Sequence, residues 1–173
     1  MTTIPELFDL TGRAAIVTGG ASGLGQYYAQ ALIGAGADVF VVSRSEKGWQ
    51  ELRQFAAQHG RQVVFMTQDL TAEQAAINVI TEFKKHFESL DILINNAGVQ
   101  IRNDIVSYRD EDWQKVIDIN LNALYYLSHE AAKVMITQKS GKIINIGSMQ
   151  SFRAGKYIYP YAASKHAVVG LTK

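Results

Sequence analysis

The stretch Ala14-Ala-Ile-Val-Thr-Gly-Gly-Ala-Ser-Gly-Leu-Gly25 leaves the chain few ways to fold. Ala14 to Val17 is a short apolar run that reads as a buried strand. Glycines follow at positions 19, 23 and 25, and Gln26-Tyr-Tyr-Ala-Gln-Ala-Leu-Ile33 then reads as a helix. A strand feeding a glycine turn and a helix start makes an anion site. The first N–H groups of a helix are unpaired and carry a partial positive charge. A phosphate placed there answers both. Glycine permits the tight turn and lets a pyrophosphate approach where a Cβ would collide. The spacing is Thr-Gly-x-x-x-Gly-x-Gly, which differs from the more general Gly-x-Gly-x-x-Gly.

Beyond this stretch, runs rich in Val and Ile alternate with segments of helical period. That alternation predicts an α/β domain: a Rossmann-like, doubly wound parallel sheet with helices on both faces. Strands are expected near 14–18, 38–43, 62–67, 91–95 and 142–147. Helices are expected near 24–35, 46–59, 72–88, 111–138 and from 161 onward. Thr71 and Gln74 form a capping-box pattern, followed by an apolar stripe of Ala75, Ala76, Val79, Ile80, Phe83 and Phe87. The 173 residues suit one domain, 1–173, and the 47% apolar content is enough for a core. The last helix meets Lys173 without a glycine or other cap, whereas doubly wound domains usually carry further strands. The expectation is a chain truncated within that helix.

Several side chains fall where strands should end. Ser43 and Arg44 follow the second strand, with no acid before Glu46. An acid there would bond the ribose 2′-hydroxyl of NAD, whereas an arginine favours the 2′-phosphate of NADP, so NADP is preferred over NAD. Asp69 follows the third strand and could accept from an adenine amino group or simply build a turn. Asn95, Asn96 and Gly98 end the fourth strand, beside the glycine loop. In the long helix Trp113, Val116, Ile117, Leu121 and Leu124 mark the buried side, and Asn120 shares it. Asn120 would brace the helix or hold water for a proton path. Tyr161 and Lys165 are four apart on one helix face. A free phenol titrates near ~10, and an ammonium beside it favours the phenolate. Ser148 could join them as a hydroxyl donor.

Together Thr18-Gly19-x-x-x-Gly23-x-Gly25, Asn95-Asn-Ala-Gly98, Asn120, Ser148 and Tyr161-x-x-x-Lys165 resemble the classical short-chain dehydrogenase/reductase family. The likeness spans the chain but covers only about the first two thirds of a typical member. It implies an NAD(P)-dependent oxidoreductase that interconverts a secondary alcohol and a ketone. It also implies seven strands in a complete member, and a homodimer or homotetramer. By position it places Gly19, Ser22, Gly23 and Leu24 along the cofactor phosphates and ribose, Asp69 and Leu70 at adenine, and Asn96 at the adjoining ribose. Tyr161 would exchange a proton with the substrate oxygen, and Lys165 would support Tyr161 and bond the nicotinamide ribose. Ser148 would orient the substrate, and Asn120 would support the proton relay.

Two segments narrow the likeness: Gly141-Lys-Ile-Ile-Asn-Ile-Gly-Ser-Met-Gln-Ser-Phe152 and Asp112-Trp-Gln-Lys-Val-Ile-Asp-Ile-Asn-Leu-Asn122. They are similar to the sugar-acid branch, which acts on 2-deoxy-D-gluconate, 2-dehydro-3-deoxygluconate or gluconate. On that reading Ser148, Gln150 and Arg102 bind substrate, with Arg153 and Lys156 as further cations. Many enzymes of this branch use NAD, against the reading of Arg44. A 3-oxoacyl-carrier-protein reductase shares every catalytic motif and is the alternative, as is a catalytically inactive nucleotide-binding fragment. The formal charge of +1 predicts neither nucleic acid nor an anionic membrane as partner. With no cysteine there is no thiolate chemistry, and no metal site is expected. No apolar run approaches the ~20 residues of a membrane span, and no signal-peptide pattern opens the chain. A cytoplasmic protein acting on a small molecule is expected.

Overall fold

A computed structural model describes residues 7–153 and 155–173. Five parallel strands form one sheet in the order β3-β2-β1-β4-β5. They are β1 (Ala14–Thr18), β2 (Asp38–Ser43), β3 (Val63–Thr67), β4 (Ile92–Asn95) and β5 (Lys142–Asn145). Between them run α1 (Gly23–Gly34), α2 (Trp49–Gln58), α3 (Ala75–Phe83), α4 (Asp110–Ile117) and α5 (Ala123–Gln138). The final helix, α6, spans Tyr159–Thr172. The expected Rossmann-like class and all five expected strands are present.

Strand alternation divides the core into two layers. Ile16, Phe40, Val42 and Leu93 face Val79, Phe83, Leu127 and Ala131 of α3 and α5. Val17, Val39 and Val41 face Ala29, Ile33, Leu52 and Ala56 of α1 and α2. The strand order reverses between β1 and β4. Loops leaving their carboxyl ends diverge to opposite faces there and open a crevice.

Four local expectations are corrected. The capping box at Thr71 does not form. Thr71 instead donates both its N–H (2.9 Å) and its hydroxyl (2.8 Å) to Asp69 Oδ1. A carboxylate two residues away outcompetes the orphan helix amides. Helix α3 therefore starts late, after Gln74 in a left-handed conformation (φ 58°). Phe87 lies beyond the end of α3 but still packs on Phe83, with ring centroids 5.1 Å apart. The expected single helix over 111–138 is interrupted by a π-turn at Asp118–Asn122, where the Ala123 N–H reaches back to the Asp118 carbonyl. That wider turn shifts the phase of α4 against α5. Trp113, expected on the buried side, is 43% exposed, while Val116 and Leu124 stay buried.

At the amino ends of the strands, Asp91 ties β1 to β4. Its carboxylate accepts from the Ala14 N–H (3.0 Å), the Ser89 hydroxyl (2.7 Å) and Arg13 (2.9 Å). Burial pulls this carboxyl upward, but the three donors outweigh it and hold the group below the usual aspartate value. A group held low when folded stabilises above its unfolded value, near ~3.9, and loses that contribution as pH falls through the folded value. Asp91→Asn should therefore lower stability at pH 7 by about 1–3 kcal/mol. It should also flatten the loss seen in wild type below about pH 4. Urea unfolding from pH 7 to pH 2.5 would measure both.

Candidate functional site

The crevice is built around Thr18, the last residue of β1. Its Oγ1 accepts the N–H groups of Asn96 and Ala97, each at 3.0 Å, and its carbonyl accepts Asn96 Nδ2 at 2.9 Å. These three bonds lock the loop after β4 against the glycine loop. Helix α1 lies close by. A Cβ on Gly25 would sit 2.2 Å from the Gly19 carbonyl oxygen and 2.5 Å from Asn96 Nδ2. Gly19 and Gly23 have φ of 64° and 54°, which favour glycine. Ser22 caps α1 without a side-chain bond, and no acid occupies the first turn. The helix start is thus left electropositive.

A groove of about 410 Å³ runs from this loop across the carboxyl ends of β1, β2 and β4. Gly19, Ser22, Leu24, Arg44, Leu70, Asn96 and Gly98, all singled out in the sequence, line it together; Gly23 stands in the same loop. Arg44 is exposed at the mouth. Asp69 lines a neighbouring depression shared with Arg44. Its carboxyl is held low by the Thr71 backbone and hydroxyl, with a smaller contribution from Arg44. The turn-building role of Asp69 is thus visible directly.

At the other end of the crevice, Asn120 is buried in the π-turn. Its Oδ1 accepts the Val99 N–H (2.8 Å), and its Nδ2 donates to the Val99 carbonyl (3.0 Å) and Ser164 Oγ (3.2 Å). The Ser164 hydroxyl in turn donates to the Tyr161 carbonyl (2.8 Å). Asn120 is therefore a brace joining the loop after β4 to α6. Lys165, only 5% exposed, donates to the Ile146 carbonyl at 2.6 Å and lies 5.8 Å from the Tyr161 ring centroid. Burial pushes its ammonium below the ordinary lysine value. Ser148 caps a short 3₁₀ turn, Met149–Ser151, and its Oγ accepts the Gln150 N–H. That turn packs against α6. Gln150 Oε1 is buried without a partner among the described residues.

Arg102, Arg153 and Lys156 are exposed on the loops after β4 and after Ser148. The two loops meet where the Asn103 N–H donates to the Tyr157 carbonyl (3.0 Å). Tyr157 holds φ 66°, uncommon for a bulky residue and not foreshadowed by any glycine or asparagine. Sequence reasoning misses two further residues, Thr18 as a loop tie and Ser164 as a relay to α6. Their signal is present, one at a strand end before glycines and the other beside Lys165.

This is the crevice of a doubly wound α/β protein, at the reversal of its strand order, with a Tyr–Lys helix at its far end. The sequence model of the short chain dehydrogenase family matches residues 13–173, and the chain belongs to that family. It is 46% identical over 168 residues to the uncharacterized oxidoreductase YgcW of Escherichia coli (strain K12), covering 97% of this chain and 64% of that protein. It is 40% identical to the 2-dehydro-3-deoxy-D-gluconate 5-dehydrogenase of Bacillus subtilis (strain 168), covering 97% and 65% respectively. The chain thus spans about two thirds of each relative's length. A candidate 2-deoxy-D-gluconate 3-dehydrogenase from Agrobacterium tumefaciens, solved with bound NADP, superposes with a TM-score of 0.87 at 37% identity. That match covers 99% of this chain and 66% of the solved one.

The packing of Gly25 against Gly19 gives a direct test. Gly25→Ala should force the glycine loop off α1 and destabilise the protein by about 1–3 kcal/mol. Gly34→Ala, at the other end of the same helix with nothing in its way, should stabilise it by up to about 1 kcal/mol. Thermal melts of the two variants would compare them.

Proposed function

We propose that the complete protein is an NADP-dependent oxidoreductase that interconverts a secondary alcohol and a ketone on a sugar acid. The observation that carries the reading is Lys165: a buried ammonium anchored on the Ile146 carbonyl and placed under the Tyr161 ring. Such a fixed charge stands beside the one phenol that would exchange a proton in the reaction. Tyr161 would pass a proton to or from the substrate oxygen, and Ser148 would hold that oxygen by its hydroxyl. Asn120 would keep α6 in register with the loop after β4. The nicotinamide, when bound, supplies or accepts the hydride.

The groove suits NADP on its own terms. Gly25 lets α1 close on the glycine loop, since a Cβ there would lie 2.2 Å from the Gly19 carbonyl oxygen, and this brings the helix start to the edge of the groove. Gly19, Ser22, Gly23 and Leu24 would follow the pyrophosphate and ribose, Leu70 and Asp69 would flank adenine, and Asn96 and Gly98 would border the second ribose. Arg44 stands at the mouth with no acid from Ser43 to Ser45, which supports a 2′-phosphate over a free 2′-hydroxyl. Two neighbouring structures carry NADP.

The sugar-acid substrate is supported by the names of relatives acting on gluconate derivatives and by the exposed cations Arg102, Arg153 and Lys156. An arginine fork suits a carboxylate. Gln150 would add a polar contact. One feature favours a second reading, an acyl-carrier-protein substrate: Ile105, Val106, Met149 and Phe152 expose apolar surface on the same two loops. A homodimer or homotetramer in the cytoplasm completes the proposal.

In the full gene product, Tyr161→Phe should keep NADPH binding, read by fluorescence, and lose turnover by at least ~100-fold. Turnover within a few-fold of the parent would refute the assignment. Arg44→Ala should weaken NADPH binding by roughly 10-fold or more, as for a lost charged hydrogen bond, and leave NADH nearly untouched. Equal losses for the two would remove Arg44 from the 2′-phosphate.

A further inference from the structure

The residues flanking Arg102 are both tied down. The Ile101 carbonyl accepts the Tyr108 hydroxyl at 2.9 Å, and the Asn103 N–H donates to the Tyr157 carbonyl at 3.0 Å. The rest of the loop closes on itself, with Asn103 Nδ2 donating to the Ser107 carbonyl (2.9 Å) and the Asp104 N–H donating to Asn103 Oδ1 (3.0 Å). Tyr108 does more than close this loop. Its ring meets the ring of Tyr159 edge to face, with centroids 6.1 Å apart. Tyr159 is the first residue of α6, two residues before Tyr161. The partner of Asn103, Tyr157, sits just ahead of the same helix in a left-handed conformation, a strain that persists only where the surroundings fix it.

From these contacts we infer that Tyr108 is a positioning residue. It sets the backbone of Arg102 at a fixed offset from the start of the Tyr161 helix, so that the guanidinium meets a substrate carboxylate while Tyr161 meets the reacting oxygen. This rests on the sugar-acid reading of Arg102. A side chain as long as arginine loses much freedom on binding, and a backbone already held reduces what must be ordered at that moment. Two groups that must touch opposite ends of one small molecule also need a fixed separation. Tyr108 remains a donor at ordinary pH, because burial, and secondarily Asp112, push its phenol above the usual tyrosine value. Tyr108→Phe keeps the ring on Tyr159 and removes only the bond to Ile101.

The test is a double-mutant cycle in the full gene product, with NADPH saturating. The substrates are 5-keto-D-gluconate and the ketose in which its carboxylate is replaced by hydroxymethyl. Tyr108→Phe should raise KM for the acid about 3- to 10-fold, the usual effect of one lost hydrogen bond. It should leave kcat, and the KM for the ketose, within twofold. In the Arg102→Ala background, which itself should raise KM for the acid alone, adding Tyr108→Phe should change nothing more, because the two act as one unit. A parallel rise in KM for both substrates, no rise for either, or full additivity with Arg102→Ala would overturn the positioning role and leave the sugar-acid reading standing. If Arg102→Ala leaves the preference for the acid intact, Arg102 does not bind the carboxylate and the role of Tyr108 falls with it.

Discussion

The Thr18 hydroxyl and carbonyl are the fixed point of this structure. Two loops leave neighbouring strands toward opposite faces of the sheet, and without a tie they would part at the crevice between them. One side chain receives the Asn96 and Ala97 amides, and the adjoining carbonyl receives the Asn96 side chain. The glycine loop is then held from the other side by the contact of Gly25 with the Gly19 carbonyl. A buried polar group must be paired, or it costs about 1–3 kcal/mol. Here the pairing also fixes the width of the crevice.

The far end of the crevice depends on a second polar chain. Asn120 holds both backbone groups of Val99 and reaches Ser164, which bonds the Tyr161 carbonyl. A separate amide chain supports the same helix: Asn95 bonds Ser128 and Asn145, and Asn145 bonds Thr172 near the end of α6. Helix α6 is therefore tethered at several points along its length. Such tethering holds Tyr161 and Lys165 at fixed positions relative to the loop after β4 and the end of β5.

Much of this is legible in the sequence because the relevant signals are local. Buried parallel strands read as Val/Ile runs, and all five lie within a few residues of where those runs put them. The glycine spacing locates the groove, and Tyr161 with Lys165 locates the second site by helical period alone. The features that escape are set by competition or by distance. At Thr71 a nearby carboxylate takes the groups that a capping box would use. Helical period puts Trp113 beside Val116, but Trp113 stands in the exposed first turns of α4, and only from Val116 onward does the helix meet the core. The left-handed Tyr157 carries no sequence mark, because its conformation is imposed by the loop it meets across the crevice. The roles of Thr18 and Ser164 emerge only once the partner loop and helix are in place.

The π-turn at Asp118–Asn122 has a bearing on how the chain tolerates change. It amounts to one residue more than a regular helix would use, and it rotates α4 by about 100° relative to α5. Deleting a residue there would restore an ideal hydrogen-bond ladder. It would also turn the contacts of α4 with α6 away from each other and withdraw Asn120 from Val99. Local regularity and long-range alignment are thus in opposition at this one turn, and the fold has settled for alignment. Single-residue insertions and deletions in the segment 110–138 should be tolerated far less than in an ordinary surface helix of equal length.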